Sequence, residues 1–264
     1  MKISFAKYQG TGNDFILLDN RDSRYSGLKN KDVAFLCDRK FGVGADGLIL
    51  LEKRDGFDFN MKYYNSDGNL SSMCGNGGRC ITAFASTLQV ISTKATFTAV
   101  DGDHQSIIIS SSPLVVKLKM RDVNEAEKIG NDLFLNTGSP HYICFVNDVM
   151  KVDVFREGRK IRNSERFVSD GTNVNFVQIT NTGLIVRSYE RGVEDETLSC
   201  GTGVTASVIG SAFRGSIDSV LGNCAVKSMG GDLKVYFERN GNSFKNIWLE
   251  GEATFVFSGE IDWP

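Results

Sequence analysis

An internal repeat is the feature of this 264-residue sequence that most constrains its fold. The segment Cys74-Gly75-Asn76-Gly77 returns 126 positions later as Cys200-Gly201-Thr202-Gly203. A chance match would not bring its neighbours along at the same separation, but three further pairs of segments do so. They are residues 11–15 with 137–141, 47–51 with 173–177, and 61–65 with 187–191. We therefore predict two homologous halves, whose equivalent loops we expect to face each other.

The charge balance argues against two classes of partner. The chain has 30 basic and 32 acidic residues, so it has no basic field to hold nucleic acid or an anionic membrane. No apolar stretch approaches the about 20 residues that a membrane span requires. The first residues also lack the apolar core of a signal peptide. We expect a cytoplasmic protein that binds a small molecule, and neither nucleic acid nor a membrane.

The six cysteines fall into two groups. In a reducing cytosol we expect all of them to be free thiols. The chain has no Cys-x-x-Cys segment and only two histidines, so no metal site is expected. Cys37, Cys80, Cys144 and Cys224 are predicted to be small buried hydrophobic side chains. Cys74 and Cys200 differ from these four because the repeat places both in the same sequence context.

Short runs rich in Val, Ile, Phe and Tyr alternate with Gly, Asn and Asp clusters, which predicts many strands joined by turns. Residues 77–88 and 203–213 have helical patterns that are nearly uncharged on all sides, as is typical of buried helices. Residues 31–38 and 147–155 are predicted as outer helices. The fold class is α/β (α+β), with two pseudo-symmetric domains that each have a curled, mostly antiparallel sheet around a central helix. Their junction is expected near Ser111-Ser112-Pro113.

A cysteine just before a buried helix is well placed to act as an acid or a base. The first N–H groups of a helix have no partner within it, and with the helix dipole they hold an anion and lower the pKa of a thiol. If two such loops face each other, one amino-acid carboxylate is held while a sulfur lies on each face of its α-carbon. One thiolate then removes the α-proton and the opposite thiol returns a proton, which inverts the centre. This chemistry requires no pyridoxal phosphate or metal.

Two further side chains are candidates for the same site. His141 follows Gly138-Ser139-Pro140, the repeat mate of Gly12-Asn13-Asp14, and is predicted to hold or accept a proton beside Cys74. Glu190 is predicted to do the same for Cys200. A surface ion pair between Glu190 and Arg191 is the alternative.

Seven segments, in order along nearly the whole chain, resemble motifs of the diaminopimelate epimerase family. They are Gly12-Asn13-Asp14-Phe15, Gly42-Val43-Gly44-Ala45-Asp46-Gly47, Asn65-Ser66-Asp67-Gly68, Met73-Cys74-Gly75-Asn76-Gly77-Gly78-Arg79-Cys80, Gly138-Ser139-Pro140-His141, Asn173-Val174-Asn175-Phe176 and Tyr189-Glu190-Arg191-Gly192. The resemblance implies interconversion of LL- and meso-diaminopimelate, a step toward lysine and peptidoglycan. It implies Cys74 and Cys200 as paired base and acid, assisted by His141 and Glu190. It also implies a homodimer that needs no cofactor.

The family resemblance extends to substrate contacts and domain limits. It implies that Asn13, Asn65, Asn173 and Arg191 hold the distal end of the substrate, with Gly75, Asn76, Gly201 and Thr202 at the reacting end and Glu190 among the contacts. The last strand is expected to return to the first domain. The domains are then residues 1–113 with about 250–264, and residues 114–249.

The chain departs from the family pattern at two places near the expected site. Ser139 stands where the family usually has Asn, and the segment between Arg191 and Cys200 is one residue longer than usual.

Three alternatives stay open. A racemase of the proline racemase branch is disfavoured by Asn76, where that branch typically has His. A noncatalytic ligand-binding descendant is disfavoured because Cys74, Cys200, His141 and Glu190 are all intact. A redox protein with a reversible Cys74–Cys200 disulfide would differ in whether its activity requires both thiols to be reduced.

Overall fold

The structure is a computed structural model that describes residues 2–217 and 222–263. The chain divides into two compact units, which are Met1–Leu118 with Gly251–Pro264, and Lys119–Glu250. Unit 1 is therefore discontinuous along the chain, whereas unit 2 is a single segment. No helix within the described ranges is long and apolar enough to cross a membrane.

Helices and strands follow one another in the same order in the two halves of the chain, except that the second half has one more strand at its start and a short 3₁₀ helix. The first half contains β1 Lys2–Gly10, β2 Asn13–Asp19, α1 Asn30–Cys37, β3 Gly47–Glu52, β4 Phe59–Asn65, β5 Leu70–Ser71, α2 Gly75–Thr87, β6 Lys94–Ala99, β7 Gly102–Ser111 and β8 Leu114–Lys119. The second contains β9 Glu127–Ile129, β10 Asp132–Asn136, β11 Pro140–Phe145, a short 3₁₀ helix Val149–Lys151, α3 Val154–Arg162, β12 Asn173–Thr180, β13 Gly183–Glu190, β14 Asp195–Thr197, α4 Gly201–Arg214, β15 Asn223–Ser228, β16 Gly231–Asn240 and β17 Ser243–Glu252. The last strand is β18 Thr254–Asp262.

Strand pairing repeats in the two units. In unit 1, β2 is parallel to β3, β3 is antiparallel to β4, and β4 is antiparallel to β5 and parallel to β6. In unit 2, β11, β12, β13, β14 and β15 pair in the same sequence and with the same directions. Most other pairings are antiparallel, including β1 with β2 and with β18. The predicted fold class, with two related halves, is confirmed.

The register of one strand differs from the prediction by one residue. Leu48 pairs with Tyr64, and its repeat mate Val174 pairs with Tyr189. The structural mate of Tyr64 is therefore Tyr189, 125 positions later, and the mate of Asn65 is Glu190 rather than Arg191. The difference arises between the two paired strands, because the chain from Val174 to Tyr189 is one residue shorter than the chain from Leu48 to Tyr64. The following turn restores the separation of 126: the N–H of Asn65 donates to the carbonyl of Asn69, whereas Glu190 pairs with Asp195 across a turn with one more residue.

Helices α2 and α4 are the predicted buried helices, because nearly every residue in their first three turns is inaccessible. Both begin two residues earlier than predicted, since the glycines after each cysteine are already helical. Helix α1 lies within one residue of its prediction. The prediction of one helix over residues 147–155 is wrong, because Asp148 and Asp153 each cap the N-terminus of a different helix. Asp148 precedes only the short 3₁₀ helix, and Asp153 precedes α3.

Candidate active site

The predicted site residues of each unit lie along one edge of its sheet. In unit 1, Asn13 begins β2, Asn65 ends β4 and Cys74 precedes α2. Strand β4 runs antiparallel to β3, which is parallel to β2, so the end of β4 meets the start of β2 at one edge.

Unit 2 has the same arrangement. His141 lies at the start of β11, Asn173 begins β12, Glu190 ends β13 and Cys200 precedes α4. The pairing directions are those of unit 1. Each unit therefore brings its own predicted site residues together.

Cys74 is the extended residue before α2, with φ −97° and ψ 131°. Its Sγ lies 3.6 Å from Oδ1 of Asn13. The orientation of that amide is fixed, because Nδ2 of Asn13 donates to Asp46 at 2.6 Å and a carboxylate only accepts. The carbonyl oxygen of Asn13 is therefore turned toward the sulfur, where it accepts a hydrogen bond from a thiol. A thiolate could not make that bond.

Asp46 is held in turn by a charged network. Arg39 contacts both Asp14 and Asp46 at 2.8 Å, and Lys7 contacts Asp14 at 2.8 Å. Burial raises the pKa of Asp14, but hydrogen bonds from Arg39 and Lys7 outweigh it and lower this pKa to about 2. This network explains the Gly42–Gly47 motif of the sequence: its aspartate orients Asn13, and the carbonyl of Gly44 accepts from Lys7.

A buried cation lies under the first turn of α2. Arg79 is completely inaccessible, and its Nη2 donates to Oγ1 of Thr11 at 3.1 Å and to Oδ1 of Asn76 at 3.0 Å. Burial lowers its pKa, but a guanidinium stays protonated in proteins. Its charge adds to the positive end of the helix dipole, where an anion would bind. Sequence reasoning missed this residue, although it is the one charge in the predicted helix 77–88.

Cys200 has the same position before α4, with φ −108° and ψ 109°. It is 7% exposed, and its Sγ lies 3.5 Å from Oγ1 of Thr202. The carbonyl of Thr202 accepts from Thr137 at 3.0 Å, as the side chain of Asn76 accepts from Thr11 in unit 1. At both helix starts a threonine of the preceding turn therefore fixes the residue two positions after the cysteine.

Glu190 and Asn173 are held by neighbours in unit 2. The hydroxyl of Thr197 donates to the carboxylate of Glu190. Nδ2 of Asn173 donates to Oγ of Ser139 at 2.8 Å and to the carbonyl of Pro140, while its Oδ1 accepts from the N–H of Arg191. Ser139, the departure from the family motif, is thus a partner of Asn173.

Arg191 and Asn65 are the exposed members of the predicted set. Nη1 of Arg191 donates to the carbonyl of Asp170 at 2.8 Å, which directs the guanidinium along the surface of unit 2. Asn65 bonds through its backbone to Asn69. Both side chains are therefore accessible to a bound molecule, and their substrate contacts stay predictions.

His141 is completely buried, and its Nδ1 lies 3.0 Å from Nδ2 of Asn175. Burial lowers its pKa to about 3, and the charge of Arg191 contributes. The ring is therefore neutral at physiological pH. Within the described ranges its Nε2 has no hydrogen-bond partner. Sequence reasoning assigned no role to Asn175, although a second Asn inside an apolar strand was a usable signal.

None of the other four cysteines precedes a helix. Cys37, Cys80 and Cys224 are buried, as predicted, and burial raises the pKa of Cys80 to about 12. Cys144 is only partly buried, which corrects its prediction, and it packs against an apolar cluster that includes Val174, Phe176 and Tyr189. The described parts of the chain contain no cluster of His, Cys, Asp or Glu that could hold a metal ion.

Solved structures define the class of this fold. The Bacillus anthracis phenazine biosynthesis protein of the PhzF family superposes with a TM-score of 0.76 at 13% identity, covering 99% of each chain. A probable proline racemase from Agrobacterium radiobacter K84 gives a TM-score of 0.72 at 13% identity, covering 99% of this chain and 93% of that one. The protein therefore has the two-domain α/β fold seen in PhzF-like and racemase-like proteins.

Sequence comparison gives the family within that class. The diaminopimelate epimerase family model matches residues 5–122 and 133–256. A diaminopimelate epimerase from Flavobacterium psychrophilum is 49% identical over 256 residues, which covers 97% of this chain and 98% of that protein. The chain belongs to the diaminopimelate epimerase family.

Proposed function

We propose that this enzyme interconverts LL- and meso-2,6-diaminopimelate in the supply of lysine and peptidoglycan precursors. The observation that carries the proposal is the pair of cysteines at equivalent positions before two buried helices, in a chain 49% identical to a curated diaminopimelate epimerase. Each helix start combines a sulfur with backbone N–H groups that favour an anion.

The proposed reaction transfers one proton at each sulfur. A thiolate takes the α-proton and becomes a thiol, while the electron pair spreads over the α-carboxylate as an enediolate. N–H groups at Gly75, Asn76, Gly201 and Thr202 are the proposed donors to that charge. The opposite thiol then gives its proton to the other face of the α-carbon and becomes a thiolate. No electrons are gained or lost overall, and no cofactor is used.

The two cysteines are proposed to have different partners in the resting enzyme. The carbonyl of Asn13 accepts from Cys74, which supports a thiol there, and Arg79 places a positive charge beneath it. Glu190 is proposed to exchange the proton of Cys200, and His141 is proposed to assist Cys74.

The distal end of diaminopimelate is itself an amino acid, with one carboxylate and one ammonium group. We propose that Arg191 binds that carboxylate, because a planar guanidinium grips it bidentately. Asn13, Asn65 and Asn173 supply amide donors and acceptors for the zwitterion. Lysine at position 191 would lose the bidentate geometry.

We also propose that the protein works in the cytoplasm as a homodimer. Strand β18 supports the dimer, because Phe255, Val256 and Phe257 are 52%, 51% and 45% exposed. Adjacent apolar side chains that stay exposed on a strand are typical of an interface.

Proton NMR of LL-diaminopimelate with the reduced protein in D2O tests the reaction, followed by chiral separation of the product. We expect meso product that carries deuterium at the inverted α-carbon. The variant Cys144→Ser is the control for cysteine substitution outside the helix starts, and it should exchange at the wild-type rate. Folded, reduced protein that neither exchanges nor inverts the substrate would refute the assignment.

A further inference from the structure

The two units differ at three equivalent positions of the strands packed beneath their helices. In unit 1 these positions hold Phe15, Ile49 and Tyr63, and the rings of Phe15 and Tyr63 meet edge to face at 5.8 Å. In unit 2 the same places in the pairing hold His141, Asn175 and Ser188. All three are buried, with Ser188 at 3% exposure and the other two at 0%. A polar triad has therefore taken the place of an apolar one in unit 2 alone.

The orientation of the Asn175 amide follows from its neighbours. Its Nδ2 lies 3.4 Å from the carbonyl of Tyr142, and a carbonyl oxygen only accepts. Its Oδ1 accepts from the hydroxyl of Ser188 at 2.8 Å. The nitrogen of the amide therefore faces His141, and Nδ2 has one hydrogen for Tyr142 and one for Nδ1 of His141.

The hydrogen of a neutral imidazole resides on the nitrogen that does not accept. We propose that Asn175, anchored by Ser188 and Tyr142, is a positioning residue that holds His141 as the Nε2–H tautomer and makes Nε2 a fixed hydrogen-bond donor. The complete burial of His141 supports this assignment, because desolvation disfavours the imidazolium.

This assignment deepens the proposed function and rests on it for its catalytic meaning. Nε2 has no hydrogen-bond partner among the described residues, so its hydrogen is not already used. Because the ring is completely buried, an anion has to be brought to Nε2 when the substrate binds. The anions of the proposed reaction are a thiolate, the substrate carboxylate and the enediolate. His141 then stabilises negative charge as a neutral donor, instead of holding or accepting a proton as the sequence suggested.

Histidine ¹⁵N NMR of the resting enzyme tests the tautomer directly. The chain has only two histidines, and His104→Asn assigns the second signal. His104 lies in unit 1, where its ring stacks on Phe97 at 5.3 Å and contacts Asp101. We expect His141 to show a protonated Nε2 and a bare Nδ1 throughout the neutral pH range.

Two variants separate positioning from general damage to the network. Asn175→Asp keeps the shape but offers Nδ1 an acceptor, so the hydrogen should move to Nδ1 or the ring should become protonated. The turnover number should then fall by about a hundredfold, as for the loss of one fixed donor. Ser188→Ala is the matched control: it removes a buried hydroxyl of the same triad, but the Tyr142 carbonyl still orients the amide. It should keep the wild-type ¹⁵N pattern.

The outcomes distinguish this inference from the proposed function. A hydrogen on Nδ1 in the wild-type protein, or an unchanged tautomer in folded Asn175→Asp, would overturn the role of Asn175 even in a fully active enzyme. Wild-type protein with the Nε2–H pattern but no action on diaminopimelate would leave the tautomer intact and remove its proposed use.

Discussion

Two equivalent helix glycines should respond differently to the same added methyl group. A Cβ on Gly203 would lie 2.2 Å from Oδ1 of Asn175, whereas a Cβ on Gly77 would lie 3.0 Å from Cδ1 of Ile49 and 3.2 Å from Cε of Met61. The apolar chain ends in unit 1 are free to rotate aside. Asn175 is held by its hydrogen bonds, so Gly203→Ala must displace the amide.

The size of the effect follows from three contributions. Alanine in place of glycine stabilises a helix interior by about 1 kcal/mol at both positions. Overpacking at Gly203 costs about 2 kcal/mol, and a weakened hydrogen bond of Asn175 costs about 1 kcal/mol. We therefore expect Gly203→Ala to lower the free energy of unfolding by about 2 kcal/mol. Gly77→Ala should change the free energy of unfolding by less than about 1 kcal/mol. The higher helix propensity of alanine offsets the cost of the close contacts with Ile49 and Met61, which are less severe than the contact at Gly203.

The two tryptophans allow each unit to be followed separately, because Trp263 belongs to unit 1 and Trp248 to unit 2. Thermal unfolding would be monitored by fluorescence in Trp263→Phe and Trp248→Phe backgrounds. The melting temperature of unit 2 should fall by about 6 °C in Gly203→Ala. The reasoning fails if Gly203→Ala is as stable as Gly77→Ala.

Three further predictions concern the helix starts and the charged network. Cys74→Ser and Cys200→Ser should each slow inversion of LL-diaminopimelate by at least about a hundredfold, since each removes one proton carrier; near-normal turnover in either would contradict the two-thiol scheme. Asp46→Asn should lower kcat/KM by about tenfold, because an amide at position 46 no longer fixes the orientation of Asn13; steady-state kinetics that match wild type would argue against this role. Asp14 has a folded-state pKa of about 2 against an ordinary value of 3.8, so its stabilising effect should be present above about pH 4 and lost as the pH falls through about 2. In urea unfolding, the advantage of wild type over Asp14→Asn should shrink across that window, and a constant difference would show that the charge is not responsible.

The repeat was sufficient to predict the fold because it combined two kinds of information. Equal spacing showed that the halves correspond, and the uncharged segments after each cysteine indicated which helix each sheet encloses. The outer helix of unit 2 could not be placed, because Asp148 and Asp153 are equally good caps and only the packing of α3 decides between them.

The polar triad could not be predicted because it depends on strand register. At the separation of 126, Asn175 would lie opposite Tyr189, and the hydroxyl of Ser188 would be out of reach. The chain from Val174 to Tyr189 is one residue shorter than the chain from Leu48 to Tyr64, which changes this pairing, and a match at a constant separation of 126 does not reveal the shift. Arg79 was missed for another reason: arginine is almost never fully buried, so a helix that is buried on all sides is expected to carry apolar side chains at such a position.

Because β18 returns to unit 1, β1 is synthesised long before one of its two neighbouring strands. Strand β1 has β18 as a neighbour, with Lys2 opposite Asp262. On the ribosome, all of unit 2 emerges before that neighbour does, and chains lengthen by only about 5–20 residues per second. Unit 2 can thus complete its sheet while one edge of β1 still awaits its partner, and during those seconds that edge is open to pairing with other nascent chains. Joining residues 2 and 262 by a short linker and opening the chain between β8 and β9 would remove this delay, because the strands of unit 1 would then be made consecutively.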